Sequence, residues 1–467
     1  MTKATYRYYF LVLMAIAIST QSCKKFLEQP SYNNVVATEL FKDFQGARTV
    51  LVGCYDNFKD ANYYQRSFAL YPELTGGNTK YSRSTSLTES VQYLSYNFAN
   101  TDFSGSSQND MSGFYALAYN TIYRANAIFQ YIGLVTDANQ LQKNRLLADA
   151  RTIRAMAHFD LVRVFAQSYS FTNDASHEGI VIRKFNTTGT VDSVLATVKS
   201  TYDFIISDLD TAIALYNNSI AIYAGGTDKS WLSADAATAL RAKVALYKND
   251  WAAVVAFTTP LITKYPIMSN STYSAAFYKQ AFASESIFEL AQTNLTSGSI
   301  GDNYNSSNNL FGVHATSNDL LSLFATGDVR GTMFVTKTLS GGTFSFNKKY
   351  QGTADSANNI KILRSSELVL SRAEANAQLG NLTTALTDLN NIRRRANPTT
   401  AILNISNKQE LLDSIFVERR RELCFESNLF FDIGRQKRNL VRVDCTAATA
   451  SFTYPNSNFA CPKPLLR

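Results

Sequence analysis

The chain has 467 residues, of which 45% are hydrophobic, and carries a formal net charge of +8 at pH 7. That is ample apolar sequence for a large packed core and excludes a disordered polypeptide. No basic run stands alone, so the charge excludes a nucleic-acid stripe and no nucleic-acid partner is expected.

Residues 1–22 read as a secretory signal peptide. Lys3 and Arg7 precede the apolar run from Phe10 to Ile18, which is too short to span a bilayer core about 30 Å thick. Ser19-Thr20-Gln21-Ser22 then lead to Cys23 at the expected cleavage point. An acylated Cys at a new amino terminus anchors stably when it carries two or more chains, because each buried methylene contributes about 0.8 kcal/mol. Cys23 is therefore assigned to lipid. Of the other cysteines, Cys54 and Cys424 fall on predicted helices and read as buried thiols, whereas Cys445 and Cys461 lie in a tail where a disulfide is allowed. Residues 23–267 and 268–467 are expected to form two regions packed as one globular unit.

Helical spacing dominates the rest of the chain. Leu40, Phe41, Phe44, Ala47, Val50 and Leu51 predict a helix from Thr38 to Phe58, followed by a loop from Ser67 to Phe103 rich in Ser and aromatics. Helices are predicted at Ser112–Gly133, Leu141–Gln167, Ser193–Tyr216, Ser233–Lys248 and Trp251–Lys264. The short Lys248-Asn249-Asp250 turn forces the last two to pack antiparallel. Thr293 to Asn309 reads as a long loop. Met333 to Tyr350 alternates about Ser340-Gly341-Gly342, predicting one β-hairpin. Helices return at Arg364–Leu379, Leu382–Arg395 and Lys408–Phe425, with Gly380 closing the first and Asn397-Pro398 the second.

Two of these pairs share a pattern. Ala375 to Asn381 followed by Ala385 and Leu389 is the small-residue arrangement of a tetratricopeptide hairpin, and Ala242 to Asp250 followed by Trp251 repeats it with Asp for Gly. In the helix from Lys408, Glu418 with Arg421 and Arg419 with Glu422 are three apart and predict surface pairs. Leu412, Ile415, Phe416, Arg419 and Leu423 form its inward stripe, which puts Arg419 half-buried beside a carboxylate.

Five segments in order resemble one family. Cys23 to Ser31 is similar to the mature start of SusD/RagB proteins, surface lipoproteins that partner TonB-dependent transporters of the outer membrane in Bacteroidetes. Arg154 to Phe165, the turn Thr326-Gly327-Asp328-Val329-Arg330, Leu370 to Ala375 with Asp388 to Arg393, and Glu418 to Glu426 resemble its later motifs. The resemblance covers nearly the whole chain. It implies a mainly α, SusD-like fold with degenerate tetratricopeptide-type hairpins, long loops and a small β-hairpin. It also implies a lipid-anchored protein facing the exterior, which binds oligosaccharides and delivers them to a SusC-like transporter. Peptide cargo of a RagAB-type system is the first alternative; a tetratricopeptide interaction scaffold without small ligand is the second, and an unrecognised hydrolase the third.

Sugars present flat C–H faces and many hydroxyls, so their sites need aromatic planes with amide or carboxylate partners. Trp231 and Trp251 open helices and read as packing residues. Two loops fit better: Tyr71, Asn78, Tyr81 and Tyr93 in the first, Asp302, Asn303, Tyr304 and Asn309 in the second. No catalytic residue, metal site or cofactor is expected. His158, His177 and His314 lack metal spacing, and the SxxK match at Ser345–Lys348 sits on the predicted hairpin without companion motifs.

Overall fold

A computed structural model describes residues 37–81, 111–186, 194–223, 229–277, 282–292, 300–304, 314–339, 342–350, 358–445 and 450–464. The signal segment and Cys23 lie outside the described residues. The main helices are α1 (Phe44–Phe58), α2 (Ser67–Gly76), α3 (Ser112–Tyr131), α4 (Gln140–Phe165), α5 (Val198–Tyr216), α6 (Ala234–Lys248), α7 (Trp251–Lys264), α8 (Ser365–Gln378), α9 (Leu382–Ala396), α10 (Lys408–Leu423) and α11 (Leu429–Arg435). Among the described residues ten short strands form five separate two-stranded antiparallel ladders. In chain order they are β1 (Thr79–Tyr81), β2 (Glu178–Val181), β3 (Leu195–Thr197), β4 (Ser286–Leu290), β5 (His314–Thr316), β6 (Phe334–Leu339), β7 (Gly342–Asn347), β8 (Ile360–Arg364), β9 (Leu440–Val441) and β10 (Ser451–Phe452). The architecture is mainly α, as the spacing predicts. Among the described residues no helix is long and apolar enough to cross a membrane.

Local chemistry sets the helix ends. Asn139 accepts from Gln142 N while Gln142 accepts from Asn139 N, a reciprocal cap opening the 26-residue α4, about 39 Å long. The helix predicted from Thr38 instead begins at Phe44, because Asp43 caps it by accepting from Gly46 N; only a turn, Ala37–Leu40, precedes it. Ser67–Gly76 is a buried helix rather than loop, and ends at Gly77 with φ +91.

The two hairpins form as their small residues require. Ala373, Ala375, Ala377, Ala385 and Leu389 are fully buried where α8 meets α9, and Ala242, Ala245 and Leu246 where α6 meets α7. Gly380 adopts φ +86, and its counterpart in the earlier hairpin is Asn249, φ 63. Asp250 instead caps α7 by accepting from Ala253 N, so the left-handed residue is one position earlier than the Asp-for-Gly match suggests. Helix α7 packs on α8, so the two hairpins stack, and α10 follows against α8. The main apolar cluster draws on residues from Phe41 to Cys461.

A buried ionic network crosses this core. The three guanidiniums of Arg395, Arg364 and Arg330 reach the Glu422 carboxylate at 2.6, 2.8 and 3.1 Å. Arg330 also holds Asp328 at 2.7 Å and Glu418 at 2.7 Å, so the Asp-x-Arg turn locks onto α10. Arg364 bonds Glu285 and Glu426, each at 2.6 Å, and Lys349 pairs with Glu426. The β4–β8 register, with Ser286 opposite Arg364, brings Glu285 to that guanidinium. Glu418 pairs with Arg421 at 2.5 Å, as the spacing predicts, but with its carboxylate buried rather than on the surface. Arg419 does not pair with Glu422; it is fully buried and reaches Asp432 on α11 at 3.1 Å. Asp432 and Glu374 together hold Arg435. Cross-helix partners win because α10 is enclosed, and a buried charge leaves its own helix surface to find full pairing.

The cysteine expectations divide. Cys54 and Cys424 are buried, and burial pushes both thiols up to about 12. Cys445 and Cys461 are not bridged to each other, so the disulfide the tail allows is not formed.

Burial alone would raise Glu422, but the charges of Arg395, Arg364 and Arg330 hold it well below its ordinary 4.5. The same competition lowers Glu426, through Arg364 and Lys349, and Asp432, through Arg419 and Arg435. A carboxylate with a lowered folded-state pKa adds stability above its unfolded value, lost as pH falls through the folded one. Glu422→Gln should therefore cost about 3–5 kcal/mol at pH 7. Its urea midpoint should also fall less steeply than the wild type's below pH 4.5; equal midpoints at pH 7 would mean that the network adds no stability.

Candidate functional site

The β1–β5 ladder joins two segments more than 200 positions apart. Thr79 faces Thr316, Lys80 faces Ala315 and Tyr81 faces His314. Tyr81 ends β1, where residues 82–110 begin, and His314 opens β5, where residues 305–313 end. The two loops singled out from composition thus share one base. Tyr93 and Asn309 lie outside the described residues, and for Tyr81 only the backbone is described.

The remaining expected ligand residues mostly face inward. Tyr71 is fully buried on α2, edge-on to Phe430 at 5.7 Å. Asn78 is buried and donates to Glu73 Oε2 at 2.8 Å. Asn303 donates Nδ2 to Gln65 O at 2.8 Å, and Tyr304 packs on Phe425 at 5.0 Å with its hydroxyl bonded to Ala69 O at 3.4 Å. These four side chains cannot present a surface to a sugar while the core stays closed; the turn Ile300–Asn303 and helix α2 enclose them because their apolar neighbours need burial. Asp302 is half-buried in that turn.

Residues that composition does not single out hold the base. Arg420 donates Nε to Asn78 Oδ1 at 3.0 Å, lies 3.4 Å from Gly77 O and pairs with Asp319 at 2.6 Å. Asn78 immediately precedes β1 and Asp319 closely follows β5, so one guanidinium buckles the two strands to α10. Lys80 and Asp444 stand 3.7 Å apart at the same edge, and Asp444 accepts from Asn318 N. Glu73, fully buried, accepts from Phe425 N and Ser427 N at 3.0 Å each. Phe425 and Ser427 have φ 64 and φ 61, strained values for side-chain-bearing residues that this carboxylate fixes. Burial raises the Glu73 pKa against those donors. A sequence signal exists for it: Glu73 is the lone charge in the apolar run Ser67–Gly76.

Both tryptophans pack against the main core, as the sequence suggests. Trp231 stacks on Tyr223 with centroids 3.9 Å apart and planes 6° apart. Trp251 is half-buried at the core margin. Ser345 lies on β7, its hydroxyl 3.1 Å from that of Thr336. Among the described residues no group of three or more His, Cys, Asp or Glu could hold a metal ion.

Two family models divide the chain: one described as the SusD family matches residues 271–456, and one described as starch-binding associating with outer membrane matches residues 25–246. The chain belongs to the SusD/RagB family. Solved structures agree in fold. A SusD superfamily protein from Bacteroides vulgatus ATCC 8482 is 24% identical with TM-score 0.80, covering 90% of this chain and 96% of that one. A SusD superfamily protein from Bacteroides thetaiotaomicron VPI-5482 is 23% identical with TM-score 0.79, covering 90% and 96%. Surface glycan-binding protein A from Bacteroides thetaiotaomicron is 16% identical with TM-score 0.71, covering 91% and 96%. No curated protein matches the sequence. The family-like motifs are structural in this chain: Arg154 clasps Asp208 at 2.7 and 2.8 Å, and Arg372 clasps Asp388 at 2.8 and 2.9 Å.

His314, at the ladder's end, is buried and donates Nδ1–H to Asn303 O at 2.8 Å. Burial pushes its pKa down to about 4 from 6.5. The unfolded chain therefore takes up a proton below pH 6.5 that the folded chain refuses until about pH 4, and stability falls across that window as pH drops. The full effect is about 3 kcal/mol. His314→Gln should flatten the pH dependence of the unfolding free energy between pH 6.5 and 4 relative to wild type; an unchanged slope would contradict the burial argument.

Proposed function

We propose that this protein is a non-catalytic, lipid-anchored receptor of the outer membrane. Acyl chains on Cys23 hold it at the exterior face, where it captures an oligosaccharide and delivers it to a SusC-like TonB-dependent transporter. Family membership supports nutrient binding at the outer membrane, and the name of the model matching residues 25–246 supports a glycan. The observation that carries the reading is the β1–β5 pairing, which roots two segments rich in Tyr, Asn and Ser at one place. Tyr81, Tyr93, Asp302 and Asn309 are the proposed ligand contacts. Residues 23–267 and 268–467 act as one unit in this reading, since each supplies one of the two rooted segments.

Peptide cargo is the second reading. The chain has only 2 Trp, and Trp231 is already taken up by Tyr223. A binding panel decides between them. Calorimetry of the purified mature protein with maltooligosaccharides, other glycans and short peptides should give saturable binding to a glycan. Tyr81→Ala, Tyr93→Ala and Arg420→Ala should each weaken it about tenfold, near 1.4 kcal/mol. Binding to peptides alone would replace the glycan assignment, and product release from any panel member would overturn the non-catalytic one. In cells, Cys23→Ala should move the protein from the membrane to the soluble fraction.

A further inference from the structure

A concave site lies where the stacked hairpins end, and none of its lining residues belongs to the β1–β5 ladder. It is a cleft of about 250 Å³. Its walls come from the α6–α7 turn, the end of α8, the start of α10, the end of α11 and the loop after α4. Trp251 supplies an aromatic wall; Ser170, Asn249, Gln378, Gln409 and Gln436 supply a hydroxyl and four amides.

The floor is electrically closed. Glu374 receives both terminal nitrogens of Arg435 at 2.6 and 2.7 Å, and both residues are buried. Arg438 is held by Asp413 at 2.6 Å and by Gln436 Oε1 at 2.7 Å. Lys437 is exposed at the rim, where water and salt screen it. The polar groups left over are neutral. Among the described residues the Trp251 indole N–H and the side chains of Ser170, Asn249 and Gln378 have no hydrogen-bond partner, although each is only half-exposed. An aromatic plane beside amides that both donate and accept, without a free buried charge, suits a neutral polyhydroxylated ring. The volume accommodates one such ring rather than a chain.

We propose that this cleft is a second glycan subsite that takes one neutral pyranose unit. The proposal rests on the reading of the chain as a glycan receptor, and adds a site independent of the loops rooted at the ladder. A receptor with two sites would hold a branched or long glycan at both, raising its effective affinity without any new contact at the loops.

Trp251 provides the test. In the mature protein carrying Trp231→Phe it is the sole tryptophan, so its emission reports on the cleft alone. Titration with maltotriose, cellotriose, xylotriose and mannotriose should give a saturable emission change with at least one of them, at a Kd on the order of millimolar. The paired substitution Gln378→Ala with Gln436→Ala should abolish that change, and Tyr81→Ala should leave it intact. Should Trp231→Phe fail to fold, the difference in emission between wild type and Trp251→Phe carries the same signal. Silence to all four trisaccharides at about 20 mM overturns the subsite, as does a response to trialanine with none to sugars. If calorimetry still detects glycan binding that Tyr81→Ala weakens while Trp251 stays silent, only the subsite falls. If no glycan binds by either method, both readings fall.

Discussion

The Glu422 carboxylate, met by Arg330, Arg364 and Arg395, is the interaction on which the arrangement of the other elements depends. These arginines come from the turn after Asp328, from the junction of β8 and α8, and from the end of α9. Each would carry an unpaired buried charge if its segment moved, a cost of about 3–5 kcal/mol. The network therefore specifies one relative placement of the helices, where apolar packing by itself would tolerate several. Five cations, Arg330, Lys349, Arg364, Arg395 and Arg421, face five carboxylates, Asp328, Glu285, Glu418, Glu422 and Glu426, so the charges compensate within the core.

Helix α10 connects that core to the site. Glu418 and Glu422 lie one turn apart and face the buried arginines. Arg419 faces α11 through Asp432, and Arg420 reaches the ladder base through Asn78 and Asp319. A single charge-dense helix thus fixes both the packing of the repeats and the strands from which the proposed ligand loops depart. The turn after it, strained at Phe425 and Ser427, is held by Glu73 from α2. In the proposed function this frame positions the segments rooted at the ladder, and those segments carry the chemistry of recognition.

Much of this is legible in the residues alone, for identifiable reasons. The hairpin of β6 and β7, the two small-residue helix pairs, and the buried Cys54 and Cys424 follow from period, turn chemistry and composition. Ser67–Gly76 reads as loop because its aromatics and Gly76-Gly77-Asn78 look like loop residues, while burial on every side erases helical periodicity. Spacing gives Arg419 a partner on its own helix because it exposes only neighbours within a few residues, whereas the true partner lies on α11. Among the ligand candidates, Tyr71, Asn78, Asn303 and Tyr304 prove to be interior: aromatic and amide residues near a binding loop serve equally well to build its foundation.

By itself the amino-acid order determined the class of fold, the helical repeats and the family, because these depend on local periodicity and on short contiguous motifs. Tertiary structure alone decided which carboxylate each buried arginine meets, that residues 79–81 and 314–316 pair, and that five separate segments enclose a cleft at Trp251. Those outcomes hang on contacts between positions tens to hundreds of residues apart, where burial strengthens a charge or an amide far beyond anything its sequence neighbours can signal.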